Sequence, residues 1–180
     1  GTTFIYVTHD QMEAFALGDR IVVMEHGQIR QVGTPQELFN HPANLYTASF
    51  VGTPPMNLFR DVALKQGSGG WTVTLFDNKY LLPPAKAAGL TEADQGRKVT
   101  LGIRPVHITF GDQGIEATVE HSDVVEAEMH IQLRVGQQEL LAIVPATNFG
   151  TFLRGRKVHF QLSPQRFHLF DPETEERIGL

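Results

Sequence analysis

The residue with the clearest chemical setting is His9, which closes the run IYVTHDQ. It follows an apolar, β-branched stretch at 3–7 that reads as a strand buried on both faces, and it precedes a helix. Open α/β sheets place ligand-binding side chains at the carboxyl ends of their strands, and an imidazole there titrates near neutral pH. The plain alternative is a helix-flanking residue that satisfies backbone groups.

Other polar groups are less well placed. His130, His159 and His168 fall on the polar side of alternating strands, which reads as solvated surface. A zinc site needs three or four converging ligands, and neither His121 nor the pair Glu126 and Glu128 supplies such a pattern, so no metal is expected. Asp123, Glu126 and Glu128 invite an acid/base reading, since Glu126 and Glu128 would share one strand face, but no nucleophile accompanies them. Trp71, Phe76 and Tyr80 have the chemistry to stack on bases or sugar rings, but packing in the core or a hairpin is the favoured reading, given the low basic content.

The elements that must position these groups change character along the chain. After the strand at 3–7, Asp10 and Glu13 have capping-box spacing, Met12, Phe15 and Ala16 make an apolar stripe, and Gly18 is placed to end the helix in the left-handed conformation. Two apolar runs at 20–24 and 28–32 flank His26-Gly27, a hairpin pattern. Thr34, Pro35 and Glu37 then start a helix that Pro42 should end near Asn40. A short helix over 43–50 closes with Gly52.

The stretch GTPPMN at 52–57 marks a boundary, because consecutive prolines continue neither a helix nor a central strand. Beyond it period two dominates: Trp71, Val73 and Leu75; Met129, Ile131, Leu133 and Val135; Val158, Phe160 and Leu162. With further strands expected at 58–64, 99–103, 115–120, 140–144 and 166–170, residues 53–180 read as a small antiparallel barrel or sandwich.

Composition narrows the function. With 41% apolar and 19% charged residues in 180, the chain reads as folded. A formal charge of −5 argues against coating nucleic acid, and Arg154, Arg156 and Lys157 form the only cationic cluster in sequence. Cysteine is absent, which removes thiolate ligands and a cysteine nucleophile. Without an apolar run of membrane-spanning length or a signal-like start, the chain is expected in the cytoplasm.

The segment FIYVTHDQMEAFALGDRIVVMEHGQIRQVGTPQELFNHPAN resembles the part of ABC-transporter ATPases that holds the switch histidine and the elements after it. FVGTPPMN, TLGIRPVHI and SPQRFHLF extend the similarity to the maltose-transporter type of sugar-importer subunit. The resemblance implies a mainly β fold, with a regulatory barrel of OB-like (TOBE) type at 53–180 preceded by a truncated α/β remnant of the nucleotide-binding domain at 1–52. It implies that His9 contacts the γ-phosphate of ATP and helps hold the attacking water. ATP and magnesium would act in the intact subunit, with none expected bound to this chain alone. Implied partners are a second copy, membrane permease subunits and a regulatory protein on the barrel, at the inner face of the cell membrane.

No G-x-x-x-x-G-K-[ST] loop occurs in the sequence, so the phosphate cradle is missing and the chain alone is not expected to hydrolyse ATP. Ser68-Gly69-Gly70 looks like the centre of the ABC signature, yet its flanks and its place before an alternating strand suit a hairpin turn. Two other classes compete: a free-standing small-ligand or oxyanion-binding barrel, which would not need residues 1–52, and a nucleic-acid-binding barrel, which the charge disfavours. A βα remnant without its sheet is expected to be disordered, exchanged with another copy, or packed on the barrel.

Overall fold

A computed structural model of the chain describes residues 2–147 and 150–179. The first part contains helix α1 (Gln11–Leu17), a hairpin of β1 (Ile21–Glu25) and β2 (Gln28–Gly33), and helices α2 (Pro35–Asn40) and α3 (Leu45–Phe50). The second part is antiparallel β-structure. It runs through β3 (Asn57–Ala63), β4 (Lys65–Gly67), β5 (Gly70–Leu75), β6 (Asn78–Leu81), β7 (Lys98–Ile103) and β8 (Thr109–Gly111). It continues with β9 (Ile115–Val125), β10 (Glu128–Val135), β11 (Gln138–Pro145), β12 (Lys157–Gln161), β13 (His168–Phe170) and β14 (Arg177–Ile178).

The strand expected at 3–7 does not form. Phe4, Ile5 and Val7 are 86%, 94% and 90% exposed, because a doubly buried strand needs neighbours on both edges and none pairs with it among the described residues. Asp10 caps α1 by accepting from the amides of Met12 and Glu13, but the box is not reciprocal, since Glu13 accepts from the hydroxyls of Thr8 and Tyr6 instead. Gly18 ends α1 at φ −88°, not in the left-handed region. Its small size matters for another reason: an added Cβ would lie 2.8 Å from the Ala14 carbonyl oxygen.

The local signals after residue 18 are realised more directly. His26 and Gly27 take φ of 47° and 79°, the two positive values that a tight hairpin turn with the native strand twist requires. Thr34 and Glu37 complete a capping box with Pro35 in the first turn. The next helix begins at Leu45 rather than residue 43, because Asn44 serves as its cap, accepting from the Thr47 amide and donating to the Arg30 carbonyl. Val23, Leu38 and Val51 form a small core between hairpin and helices.

The β-region has sheet orders β11-β10-β9-β12-β8 and β14-β13-β7-β3, with β4-β5-β6 as a third sheet. All three contribute to one core that joins Trp71, Val73, Leu101, Val119, Ile131, Phe160 and Leu169. The chain passes between the two large sheets twice, from β7 to β8 and from β12 to β13. His159, Phe160 and Gln161 face Gly111, Phe110 and Thr109, and His168, Leu169 and Phe170 face Gly102, Leu101 and Thr100. The segments between, 103–108 and 162–167, are therefore equal in length and lie side by side as two bent corners. Each corner holds a 3-10 turn with proline in its first turn, Pro105–His107 and Pro164–Arg166.

Asn57 joins the outer edges of the same two sheets. Its side-chain amide donates to the Leu141 carbonyl at 2.8 Å and its oxygen accepts from the Leu141 amide at 2.7 Å, copying a backbone pair where β3 meets β11. Helices α2 and α3 pack on the outside of this barrel. Leu45 and Ala48 of α3 meet Met56 and Phe170 in an apolar cluster, Leu45 donates its amide to Glu175, and Arg177 donates its amide to Ala43. Of the expected remnant, α2 and α3 pack on the barrel, while the run at 3–7 stays exposed.

Candidate functional site

His9 lies in an exposed bend between the unpaired run and α1. Its position is set by Asp10, the cap next to it, and by Gln11. The Gln11 side chain spans to the end of α3, donating to the Phe50 carbonyl and accepting from the Gly52 amide at 3.0 Å. The imidazole thus stands in a bend just before a short helix that is tied down, facing solvent, and can offer one hydrogen bond to an approaching group. One imidazole is not an ATP–magnesium site. No phosphate loop is present in the sequence, and no three His, Asp or Glu side chains converge on a possible metal position among the described residues.

The other groups singled out by the sequence mostly lie apart. His121 and Asp123 pair at 2.7 Å on an exposed strand. Glu126 sits at a hairpin turn with φ 56°, so it does not share a strand face with Glu128. Trp71 is buried in the core, Phe76 packs edge-on to Phe59 and Phe160, and Tyr80 packs edge-on to Phe167, which leaves none of the three as an open stacking platform. Ser68 and Gly69 form the turn between β4 and β5.

His168 departs from its sequence reading as solvated surface: it is only 4% exposed. The alternation was correct, but the polar face is covered. Leu101, Ile103 and Leu169 point into the barrel core, and the opposite face carries Gly102, Arg104, His168 and Phe170, with Arg177 on the neighbouring strand opposite Phe170. Met56 and α3 lie over that face. An added Cβ at Gly102 would crowd the Met56 sulfur, so a larger residue there requires the Met56 side chain to move.

Arg104, which sequence reasoning did not single out beyond its motif, is 1% exposed. Its Nε donates to the Phe39 carbonyl at 2.9 Å and its Nη1 to the Val51 carbonyl at 2.6 Å, while the guanidinium lies 3.9 Å from the Phe39 ring centroid. It therefore closes the carbonyl ends of α2 and α3 as a cation at a helix terminus should. A Cβ on Gly52, whose φ is 107°, would stand 2.9 Å from Nη1.

The surroundings of these bases are cationic. Burial pushes the His168 ring down to about 3, with Lys86, Arg104, Arg177 and His107 acting in the same direction. Burial lowers Lys86 to about 8, helped by Arg177 and Arg166. It lowers His107 too, with Arg166 and Arg104 adding to it, and brings Arg104 to about 10.

Comparison with known proteins agrees with this architecture. The MalK OB fold domain family matches residues 52–108, and the TOBE domain family matches residues 101–170; the two meet on β7 and the first corner. A multiple sugar-binding transport ATP-binding protein of Streptococcus mutans is 36% identical, over 99% of this chain and 51% of its own length. The sn-glycerol-3-phosphate import ATP-binding protein of a Ruegeria species is 38% identical, over 99% of this chain and 48% of its own. That of Escherichia coli K12 is 36% identical, over 98% and 48%. The chain spans about half the length of these curated relatives. Among solved structures, the cytoplasmic molybdate-binding protein ModG with molybdate bound has a TM-score of 0.50 at 14% identity, over 64% of this chain and 96% of that one, a likeness of fold. With both barrel families matched and the similarity running through residues 1–52 as well, this chain belongs to the family of ABC-importer ATP-binding subunits, as a C-terminal part that carries their OB and TOBE domains.

Proposed function

We propose that this chain is the regulatory part of the energy-coupling subunit of an importer for sugars or related solutes, divided at residue 52 into the end of an ATP-binding domain and a regulatory barrel. The observation that carries this reading is the identity of 36–38% over 98–99% of the chain to importer ATP-binding subunits. The exposed run at 3–7 supports it physically, since an apolar β-branched segment loses its exposure by joining a sheet. No helix of the described residues is long and apolar enough to cross a membrane.

In this reading two copies close on two ATP molecules with their magnesium ions, and the closure reorients the permease subunits at the inner face of the cell membrane. The barrel holds the dimer and receives a regulatory protein. His9 offers its imidazole to the γ-phosphate and the attacking water. Its part is positional, as is most catalysis of phosphoryl transfer, and the ATP-holding groups come from residues other than those of this chain.

Sequencing the gene upstream of the Gly1 codon tests the assignment. A phosphate loop, a signature motif and a Walker-B acid pair at domain distance are expected, and an unrelated domain there would sink it. In the intact subunit with its permease, His9→Ala is expected to lower ATP turnover by about a hundredfold, the scale of a lost positioning contact. The same substitution should leave thermal stability unchanged, because His9 is exposed.

A further inference from the structure

The segment that joins the first part of the chain to the barrel is held from two sides. Gln11, the first residue of α1, uses both ends of its side-chain amide on it: Nε2 donates to the Phe50 carbonyl and Oε1 accepts from the Gly52 amide at 3.0 Å. From the barrel, Arg104, just past β7, donates from Nη1 to the Val51 carbonyl at 2.6 Å. Residues 50, 51 and 52 are thus gripped by two side chains, one from each part of the molecule.

The local backbone permits this double grip. Phe50 is the last residue of α3, and a carbonyl at the end of a helix has no partner within it. Capping that helix would need only the bond to Phe50. The second bond, to Gly52, lies beyond the helix and fixes the plane of the Gln11 amide. Gly52, at φ 107°, takes a conformation that strains other residues and leaves room beside it for the guanidinium.

Helix α1 lies on the junction by one face. Gln11 and Phe15 are four residues apart and share a side of the helix, and Phe15 packs against the small core that includes Val51. The bend bearing His9 is in turn fastened to α1 on both flanks. Asp10 caps the helix through the amides of Met12 and Glu13. The Thr8 hydroxyl accepts from the Asp10 amide at 3.0 Å and donates to the Glu13 carboxylate at 2.8 Å. His9 therefore sits between two pinned neighbours, and a displacement of α1 carries it along.

We propose that Gln11 is the positioning residue for His9, and that with Arg104 it forms a two-sided clamp on residues 50–52 through which a shift of the barrel reaches the histidine. This role rests on the reading of His9 as the group that meets the γ-phosphate. Phosphoryl transfer depends on placement, and a displacement on the order of 1 Å is enough to cost about a hundredfold. Gln11 acts through His9 and not on the nucleotide, so its removal should slow turnover without changing how ATP is held.

The clamp is read first in the 180-residue chain, where no nucleotide is needed. Arg104→Lys keeps the cation but replaces the planar fork with a single ammonium. It should shift the ¹H–¹⁵N signals of His9 and of α1, and should cease to do so once Gln11→Ala is added. Shifts that persist without Gln11, or that never appear, overturn the clamp.

Turnover is then measured in the intact subunit with its permease. Gln11→Ala should lower kcat about tenfold and leave the KM for ATP within about twofold of the parent. In a His9→Ala background it should cost no further activity, because residues that act through one another are not additive. Gln31 controls for a purely structural role: it donates to the His41 carbonyl at 3.0 Å and accepts from the Ala43 amide at 2.7 Å, the same pair of bonds made between β2 and the segment joining α2 to α3. Gln31→Ala should leave kcat unchanged. Equal losses in the Gln11 and Gln31 variants, a raised KM with kcat intact, or full additivity with His9→Ala overturns the positioning role. Parental turnover in His9→Ala instead removes the reading of His9 and the positioning role with it, while the clamp still stands or falls on the shifts in the 180-residue chain.

Discussion

His168 and Arg104 show how one strand face can carry two buried bases with different consequences. For His168 the folded ring titrates at about 3 whereas an unfolded one titrates near 6.5, so below the unfolded value the unfolded chain binds the extra proton. Its contribution to stability is therefore intact above about pH 6.5 and falls progressively as pH drops toward 3. His168→Leu, close in volume and without the orphaned nitrogen, should flatten the loss of stability between about pH 6 and pH 4 in urea titrations. An unaltered slope would mean that His168 is not the group that opposes acid. Arg104 stays protonated and holds two carbonyls, so Arg104→Met should cost about 3 kcal/mol, the scale of charge-assisted bonds whose acceptors are left buried. Hydrogen exchange should then speed up across 39–51 more than in β9 and β10.

At the scale of elements, local capping in the first part adds to the small core of Val23, Leu38 and Val51. Thr34 accepts from the Glu37 amide at 3.2 Å, and the Glu37 carboxylate accepts from the Thr34 amide at 2.8 Å. Thr34→Ala should destabilise the segment by about 1 kcal/mol, detected as faster proteolysis within α2, and a change no greater than scatter would show that packing of Leu38 alone holds the helix. These elements were legible beforehand because hydroxyl, proline and carboxylate at fixed offsets act through the backbone nearby. The run at 3–7 carried an equally clear pattern and still failed to form a strand, since strand pairing is a relation to another segment and not a property of five residues. Gly18 teaches a related lesson: its role is the close approach of the Ala14 carbonyl, which no local pattern announces.

At the scale of the molecule, the barrel is closed by two devices, the continuous register through the corners and the Asn57 side chain bridging to Leu141. Asn57→Ala should cost about 2 kcal/mol by leaving the Leu141 amide and carbonyl without their partner. Asn57→Asp should fare no better, because a carboxylate would face the Leu141 carbonyl that now accepts from Asn57. Urea midpoints of the two variants check this, and parental stability in both would mean that backbone pairing alone seals the barrel.

What the sequence by itself determined was the hairpin and the capped helices after residue 18, the period-two face of the main barrel strands and the likeness to importer ATP-binding subunits. These follow from short-range backbone chemistry and from the simple alternation of side chains in extended chain. Only the tertiary structure decided which faces meet solvent. Alternation pairs Gly102 with Arg104 and His168 with Phe170, but only the register of β7 against β13 puts both pairs on one side, and only α3 covers it and makes that side an interior. The gathering of Arg104, His107 and His168 likewise depends on two corners sixty residues apart aligning in one register, a long-range fact that burial and pairing create and that no local spacing encodes.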